Sequence, residues 1–148
     1  MRLENKIALI TGAGSGLGEA TARLFAREGG KLVITDINES TVNAVANDIE
    51  AVGLSHDVTS DESWIEVVAE TQARYGGLDI LINNAGVRCR ESFLSLSLAD
   101  IKNVVEVNLF AAIFLSKIVM PFFINNGGGR IINISSVSYT HLTLPTNR

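Results

Sequence analysis

The sequence predicts an α/β fold, a doubly wound parallel sheet with strand order 3-2-1-4-5 and helices on both faces. Two observations and one general rule point there. Short apolar runs alternate with segments of helical periodicity four times and end on an apolar run, an order that suits a parallel sheet with helical crossovers. Thirteen glycines stand against two prolines and gather at a few junctions. Right-handed crossovers then wind the sheet outward from its first strand and leave a crevice where strands 1 and 4 diverge.

Residues 5–11 (NKIALIT) read as a buried strand, followed by glycines at 12, 14, 16 and 18. A helix over residues 17–28 carries Leu17, Ala20, Leu24 and Phe25 on one face, and Gly29 and Gly30 supply a left-handed end. Residues 31–36 (KLVITD) form a second strand, and a helix from near Asn38 shows Val42, Val45, Ala46 and Ile49 at helical spacing. Residues 51–56 are a weaker third strand. Thr59 and Glu62 have capping-box spacing and open a helix with Trp64, Val67, Val68, Thr71 and Tyr75, stopped at Gly76 and Gly77. Residues 78–83 (LDILIN) are the fourth strand. After a loop over 84–96, Ser97 and Asp100 cap a long helix reaching about Phe123. Residues 125–129 (NNGGG) turn, and 130–135 (RIINIS) form a fifth strand.

The 148 residues suit one domain or part of one. With 47% hydrophobic and 19% charged residues, the composition is globular rather than disordered. Mean hydropathy is +0.27, yet no unbroken apolar run reaches the roughly 18 residues of a membrane span. The richest stretch, 109–124, is interrupted by Ser116 and Lys117. The charged start (MRLENK) has no secretory pattern. One cysteine excludes an internal disulfide framework, and with two histidines it argues against a dedicated zinc site. A net charge of −4 and pI near 5.1 argue against nucleic acid as a partner. A reducing, cytoplasmic compartment is expected, with no membrane partner.

The loop between strand 1 and its helix is TGAGSGLG, with Gly12, Gly16 and Gly18 spaced Gly-x-x-x-Gly-x-Gly. Glycines let the backbone turn tightly and approach a pyrophosphate, and the helix N-terminus offers unpaired N–H groups and a positive dipole end. Asp36 closes the second strand, where its carboxylate can accept hydrogen bonds from both ribose hydroxyls of an adenosine. The same charge repels a 2′-phosphate, and Ser15 and Ile37 bring no cation to receive one. NAD is therefore the expected cofactor, rather than NADP.

With Asp57 and Val58, the run Asn83, Asn84, Ala85, Gly86, then Asn108 and the run Asn133, Ile134, Ser135, Ser136 added, the chain resembles the short-chain dehydrogenase/reductase family, in its NAD-preferring, single-domain form. The resemblance covers residues 3–136 and implies a Rossmann-type fold. It places Gly12, Ser15, Gly16, Leu17 and Gly18 in the cofactor loop, Asp36 and Ile37 at the ribose, and Asp57 and Val58 beside the adenine. Asn83 steadies the sheet, and Asn84, Ala85 and Gly86 lie near the cofactor. Asn108 matches the helix asparagine that holds a water of the proton relay, and Ser136 the serine that hydrogen-bonds the substrate oxygen. These two are the expected catalytic residues. The implied reaction is hydride transfer between a carbinol carbon and the nicotinamide, the protein managing the proton. A tyrosinate acts as base, kept ionised by a lysine four residues on.

Here the sequence departs from the family. Its lysines are Lys6, Lys31, Lys102 and Lys117, and none follows a tyrosine at +4. Tyr139, only three residues past Ser136, stands too early to be the base. Residues 137–146 (VSYTHLTLPT) match one translated frame of a common transposase-type sequencing adapter. The expectation is an incomplete sheet: residues 1–136 as the N-terminal part of a Rossmann-type domain, and 137–148 as a non-native tail. Strand 5 is then an uncovered edge, and one face of the long helix (Val104, Val105, Val107, Ala111, Leu115) lacks partners.

Three functions stay open: an NAD(H)-dependent alcohol/ketone oxidoreductase, a dinucleotide-binding module without catalysis, and a sensor of the NAD(H) ratio. Within the first, residues 56–60 (HDVTS) and Asp36 look more like hydroxysteroid or cyclic-alcohol dehydrogenases than like a 3-oxoacyl-carrier-protein reductase. The expected partner is a small alcohol or ketone, and the family resemblance implies a homodimer or homotetramer. Arg88, Cys89, Arg90 and Phe93 follow strand 4 and are candidates for the pocket edge.

Overall fold

The computed structural model describes residues 1–89 and 91–135. The elements run β1 (Ile7–Thr11), α1 (Gly16–Arg27), β2 (Lys31–Asp36), α2 (Glu39–Asp48), β3 (Val52–Ser55), α3 (Asp61–Tyr75) and β4 (Ile80–Asn83). A 3-10 turn (Phe93–Ser95) precedes a long helix, α4 (Leu98–Val105) and α5 (Ala111–Asn125), joined through a π-helical segment (Glu106–Phe110); β5 (Arg130–Asn133) follows. The sheet has the expected order β3-β2-β1-β4-β5, and every pair is parallel. Thr11 stands beside Thr35, and Asn83 beside Asn133, so the carboxyl ends of the strands share one rim.

Alternation along the strands divides the core in two. Ala8, Ile10, Leu32 and Ile34 meet Ala22, Val42 and Ala46 of α1 and α2. Leu9 and Val33 meet Trp64 and Val67 of α3 and Leu115 and Val119 of α5. Because both faces are covered, β1 and β2 need unbroken apolar runs rather than alternating ones.

Several local expectations shift. β1 begins at Ile7, because Asn5 adopts φ +62° and the Lys6 N–H turns back to the Leu3 carbonyl at 2.9 Å. In α1, Leu17 and Leu24 are exposed while Gly18 and Ala22 are buried. The helix lies so close to the sheet that its smallest residues take the inner face. The α3 cap is Ser60, whose Oγ accepts the Ser63 N–H. Thr59 is diverted, its N–H and hydroxyl both donating to Asp57 Oδ1 at 2.9 and 2.7 Å. Gly29 and Gly76 provide left-handed helix ends, and Ser97 with Asp100 forms the anticipated capping box.

The long helix brings two corrections. Ala111 and Leu115 are buried, and with Val119 and Phe123 they form a stripe every four residues against the sheet. Val105 is exposed as expected, Val104 and Val107 are half-buried, and the other uncovered apolar side chains of the helix include Leu98, Ile101, Leu109, Phe110, Ile113, Met120 and Ile124. The span Leu98–Asn125 is 28 residues long, with mean hydropathy 2.0 in its most apolar window. By length and composition it could therefore cross a membrane, which counting unbroken runs missed. Ser116 does not end the helix, since its hydroxyl donates to the Ala112 carbonyl within it. Ile132 on β5 and Ile134 just beyond it remain about two-fifths exposed, at 41% and 44%, consistent with an uncovered edge.

Candidate functional site

The loop after β1 is shaped by its neighbours. Gly12 (φ +64°) and Gly16 (φ +59°) adopt left-handed backbone, which glycine enters without steric cost. A Cβ on Gly12 would lie 2.8 Å from Ala85 Cα, and one on Gly18 would collide with the Gly12 carbonyl. A Cβ on Gly16 would meet only open space, so this glycine leaves the approach to the α1 N-terminus clear. The side chains of Asn38, Ser60 and Ser97 cap α2, α3 and α4, whereas Ser15 makes no side-chain cap bond to α1. The first-turn N–H groups of α1 thus keep their capacity for an external acceptor.

Asp36, at the end of β2, faces this loop. Its Oδ2 accepts the Gly14 N–H and its Oδ1 the Asn38 N–H, each at 3.0 Å. A carboxylate has about four acceptor positions, so two remain for an incoming hydroxyl pair. A Cβ on Gly14 would press on Asp36 and collide with Thr41 Oγ1. Gly14, absent from the sequence-derived site, is therefore what lets the loop and the acid meet. Leu17 and Ile37 are exposed on either side, at 72% and 73%.

The next rim position follows β3. Asp57 is exposed, and its bonds from Thr59 hold its carboxyl below the usual carboxylate range. Val58 lines the central cleft beside Trp64, whose Nε1–H donates to the Val58 carbonyl at 2.8 Å. Behind them His56 is buried, with Nδ1 hydrogen-bonded to Thr35 Oγ1 at 2.9 Å. Burial pushes its imidazole down to about 4, against a smaller upward pull from the Asp57 carboxylate.

Strands 1 and 4 are tied across the crevice. The Thr11 hydroxyl accepts the N–H groups of Asn84 and Ala85 at 3.1 and 3.0 Å. Asn84 Nδ2 donates to the carbonyls of Thr11 and Gly12, both at 2.9 Å. Asn84 thereby sets the glycine loop, and its amide is committed to the backbone. Asn83 reaches the other way, with Nδ2 donating to Asn133 Oδ1 of β5 at 2.8 Å. The sequence reading missed Thr11; a hydroxyl closing a buried strand beside the crevice was the available signal.

A cleft of about 930 Å³ opens at this rim, lined by Thr11, Val58, Asn84, Ala85, Gly86, Arg88 and Asn108 among others. Asn108 lies in the π-helical segment and is bound to Val87, its Oδ1 accepting the Val87 N–H and its Nδ2 donating to the Val87 carbonyl, both at 2.8 Å. Both ends of its amide are occupied, so a water held at this position would need a backbone group. Gly86 lies against the same amide, a Cβ there reaching to 3.4 Å from Asn108 Oδ1. Cys89 contacts the Asp100 carbonyl through Sγ at 3.9 Å. Ser136, Arg90, the Phe93 side chain and residues 137–148 lie outside the described residues. Among the described residues no cluster of three His, Cys, Asp or Glu side chains could hold a metal ion.

A family profile described as short chain dehydrogenase matches residues 6–142. The chain belongs to the short-chain dehydrogenase family. Its sequence is 36% identical over 142 residues to the 3-oxoacyl-acyl-carrier-protein reductase FabG of Thermotoga maritima, covering 93% of this chain and 58% of that protein. It is 40% identical over 141 residues to the 2,5-dichloro-2,5-cyclohexadiene-1,4-diol dehydrogenase LinX of Sphingobium indicum, covering 92% and 56%. The solved structure of a 7 alpha-hydroxysteroid dehydrogenase complexed with NADH and 7-oxo glycochenodeoxycholic acid superposes with a TM-score of 0.91 at 34% identity, covering 97% of this chain and 58% of that one. This short-chain dehydrogenase chain thus spans somewhat under two thirds of the length of the proteins it matches. Its Rossmann-type sheet is theirs.

Proposed function

We propose that the protein is an NAD(H)-dependent oxidoreductase interconverting a secondary alcohol and a ketone, of the hydroxysteroid or cyclic-alcohol dehydrogenase type. The observation that carries this is Asp36, fixed by the Gly14 N–H beside the glycine loop with acceptor capacity to spare. The residues fit a dinucleotide: an α1 N-terminus without a side-chain cap, a clear approach at Gly16, and an acid where ribose hydroxyls would need acceptors. The nicotinamide cofactor, when bound, supplies or accepts the hydride.

In this reading the α1 N-terminus with Gly12, Ser15, Gly16, Leu17 and Gly18 takes the pyrophosphate. Asp36 and Ile37 take the ribose, and Asp57 and Val58 border the adenine. Asn84 orients the loop, while Ala85 and Gly86 form the cleft floor toward the reacting end. Asn108 positions the 87–88 segment and the relay water, and Ser136 hydrogen-bonds the substrate oxygen. No Tyr-x-x-x-Lys occurs within the 148 residues, so this chain binds the dinucleotide without turning over. Residues 1–136 are the N-terminal part of the domain and 137–148 a non-native tail. The partner is a small alcohol or ketone, with no nucleic acid or membrane involved, and the setting is cytoplasmic. The intact protein assembles as a homodimer or homotetramer.

The similarity to the Thermotoga reductase favours a second reading, reduction of 3-oxoacyl groups on a carrier protein. The family resemblance associates that activity more often with NADPH, which the Asp36 charge disfavours. Calorimetric titration of the chain with NADH and NADPH tests the proposal. Binding of NADH with weaker or no NADPH binding is expected. A preference for NADPH, or no binding of either, overturns it.

A further inference from the structure

His56 is a buried titratable side chain for which the proposed chemistry has no use. It is 2% exposed and Trp64 1%. The two rings meet edge to face, with centroids 3.8 Å apart and planes at 83°. The His56 N–H donates to the Asp36 carbonyl at 2.8 Å, and Nδ1 is bonded to Thr35 Oγ1 at 2.9 Å. Nε2 has no partner among the described residues. On the far side of the indole, Trp64 Nε1–H holds the Val58 carbonyl. These contacts form one chain from Asp36, through the His56 backbone and ring and the Trp64 indole, to Val58.

We propose that His56 is a positioning residue for the adenosine half of a dinucleotide, locking the end of β2 to the turn after β3 so that Asp36 and Val58 keep a fixed separation. The inference rests on the dinucleotide reading above and adds to it a residue that does not line the cleft. The physical case is that an orphaned buried ring nitrogen costs stability. An apolar residue would fill the same space without that cost, but it could not hold the Thr35 hydroxyl. That hydroxyl sits next to Asp36 on a strand whose register with β3 ends at Asp36 and Ser55. The imidazole also gives Trp64 an edge to rest on, and the indole in turn fixes the Val58 carbonyl. Removing the ring takes away both the hold on the Thr35 hydroxyl next to Asp36 and the support of the indole that fixes Val58. The backbone bond from the His56 N–H to the Asp36 carbonyl stays. The nicotinamide side, held through Thr11 and Asn84, keeps its own bonds.

The test uses the 148-residue chain with NADH and ADP-ribose as probes, measured by calorimetry at pH 7.5. Quenching of Trp64, the single tryptophan, serves as a second readout. The variants are His56→Ala, His56→Asn, whose amide can replace Nδ1 toward Thr35, and Thr35→Val, which keeps volume and removes the hydroxyl. The expected result is a Kd raised about tenfold for both probes in His56→Ala and Thr35→Val, the size of one lost buried hydrogen bond. Return to within about threefold in His56→Asn is expected as well. The melts must show each variant folded at the titration temperature, so that a fall in folded fraction cannot produce the shift. Unchanged Kd values in folded variants overturn the positioning role, as does a loss with NADH that spares ADP-ribose. Failure of the unmutated chain to bind either probe overturns the dinucleotide reading itself, and this proposal with it.

Discussion

The side chain of Asn108 is paired with the backbone of Val87 as one strand residue pairs with another, through two hydrogen bonds of 2.8 Å. This ties the segment after β4 to the π-helical part of the long helix. Asn108→Ala should lower stability by about 1–2 kcal/mol, the worth of two partly exposed bonds. Urea melts measure this. Amide exchange at Val87 should accelerate in the variant, and an unchanged exchange rate would refute the clamp.

Asp36→Ala should raise the Kd for NADH by about tenfold or more, as expected for losing charge-assisted bonds. The Kd for NADPH should stay level or fall, because a repelling charge has gone. Parallel titrations decide it, and equal losses for both cofactors would remove Asp36 from the ribose site.

The glycines should separate into two groups. Gly18→Ala places a methyl against the Gly12 carbonyl, a backbone atom that cannot swing away. A loss above about 2 kcal/mol is expected. Gly16→Ala meets open space at φ +59° and should cost about 1 kcal/mol of backbone strain. It should nonetheless weaken NADH binding, because the new methyl stands where a pyrophosphate would approach. Thermal melts paired with titrations expose the contrast.

Acid should destabilise the chain through His56. Its folded pKa is about 4 against an ordinary 6.5, so between those values the unfolded chain binds more protons and stability rises with pH. As pH falls from 6.5 toward 4, about 3 kcal/mol should be lost, with no further loss from this group below that. Asp57, also lowered, acts in the same direction at lower pH. Urea melts across this range should show the slope, and His56→Asn should flatten it.

The exposed apolar row on the long helix, including Phe110, Ile113 and Ile124, should make the 148-residue chain self-associate or bind hydrophobic dyes. Replacing Ile113 and Ile124 together by lysine should reduce light scattering without lowering the melting temperature. A sharply melting monomer of the unmutated chain would contradict the expectation.

The sheet was legible because its signal is redundant. The runs around Leu9 and Val33 must be apolar on both faces, and the Gly29 and Gly76 stops punctuate them. Helix faces were less legible. Leu17 and Leu24 look like core by periodicity, yet the close approach of α1 buries Gly18 and Ala22 instead. The α3 cap was misplaced by one residue because Asp57 competes for Thr59, a choice between two local hydrogen-bond schemes that spacing cannot settle. At the site, the glycine loop and Asp36 carry chemistry in their residue types. The contributions of Thr11, Gly14 and His56 come from contacts across 20 or more residues, as in the Gly14–Asp36 and Thr35–His56 pairs, and no local pattern announces them.

The π-helical segment Glu106–Phe110 lets the long helix absorb one residue without changing its setting. A π turn holds one residue more than an α turn. Deleting one residue there would let the helix close into regular α geometry, and Ala111, Leu115, Val119 and Phe123 would still face the sheet. The loss would be local, in the pairing of Asn108 with Val87. The surplus residue thus serves the clamp rather than the orientation of the helix that follows.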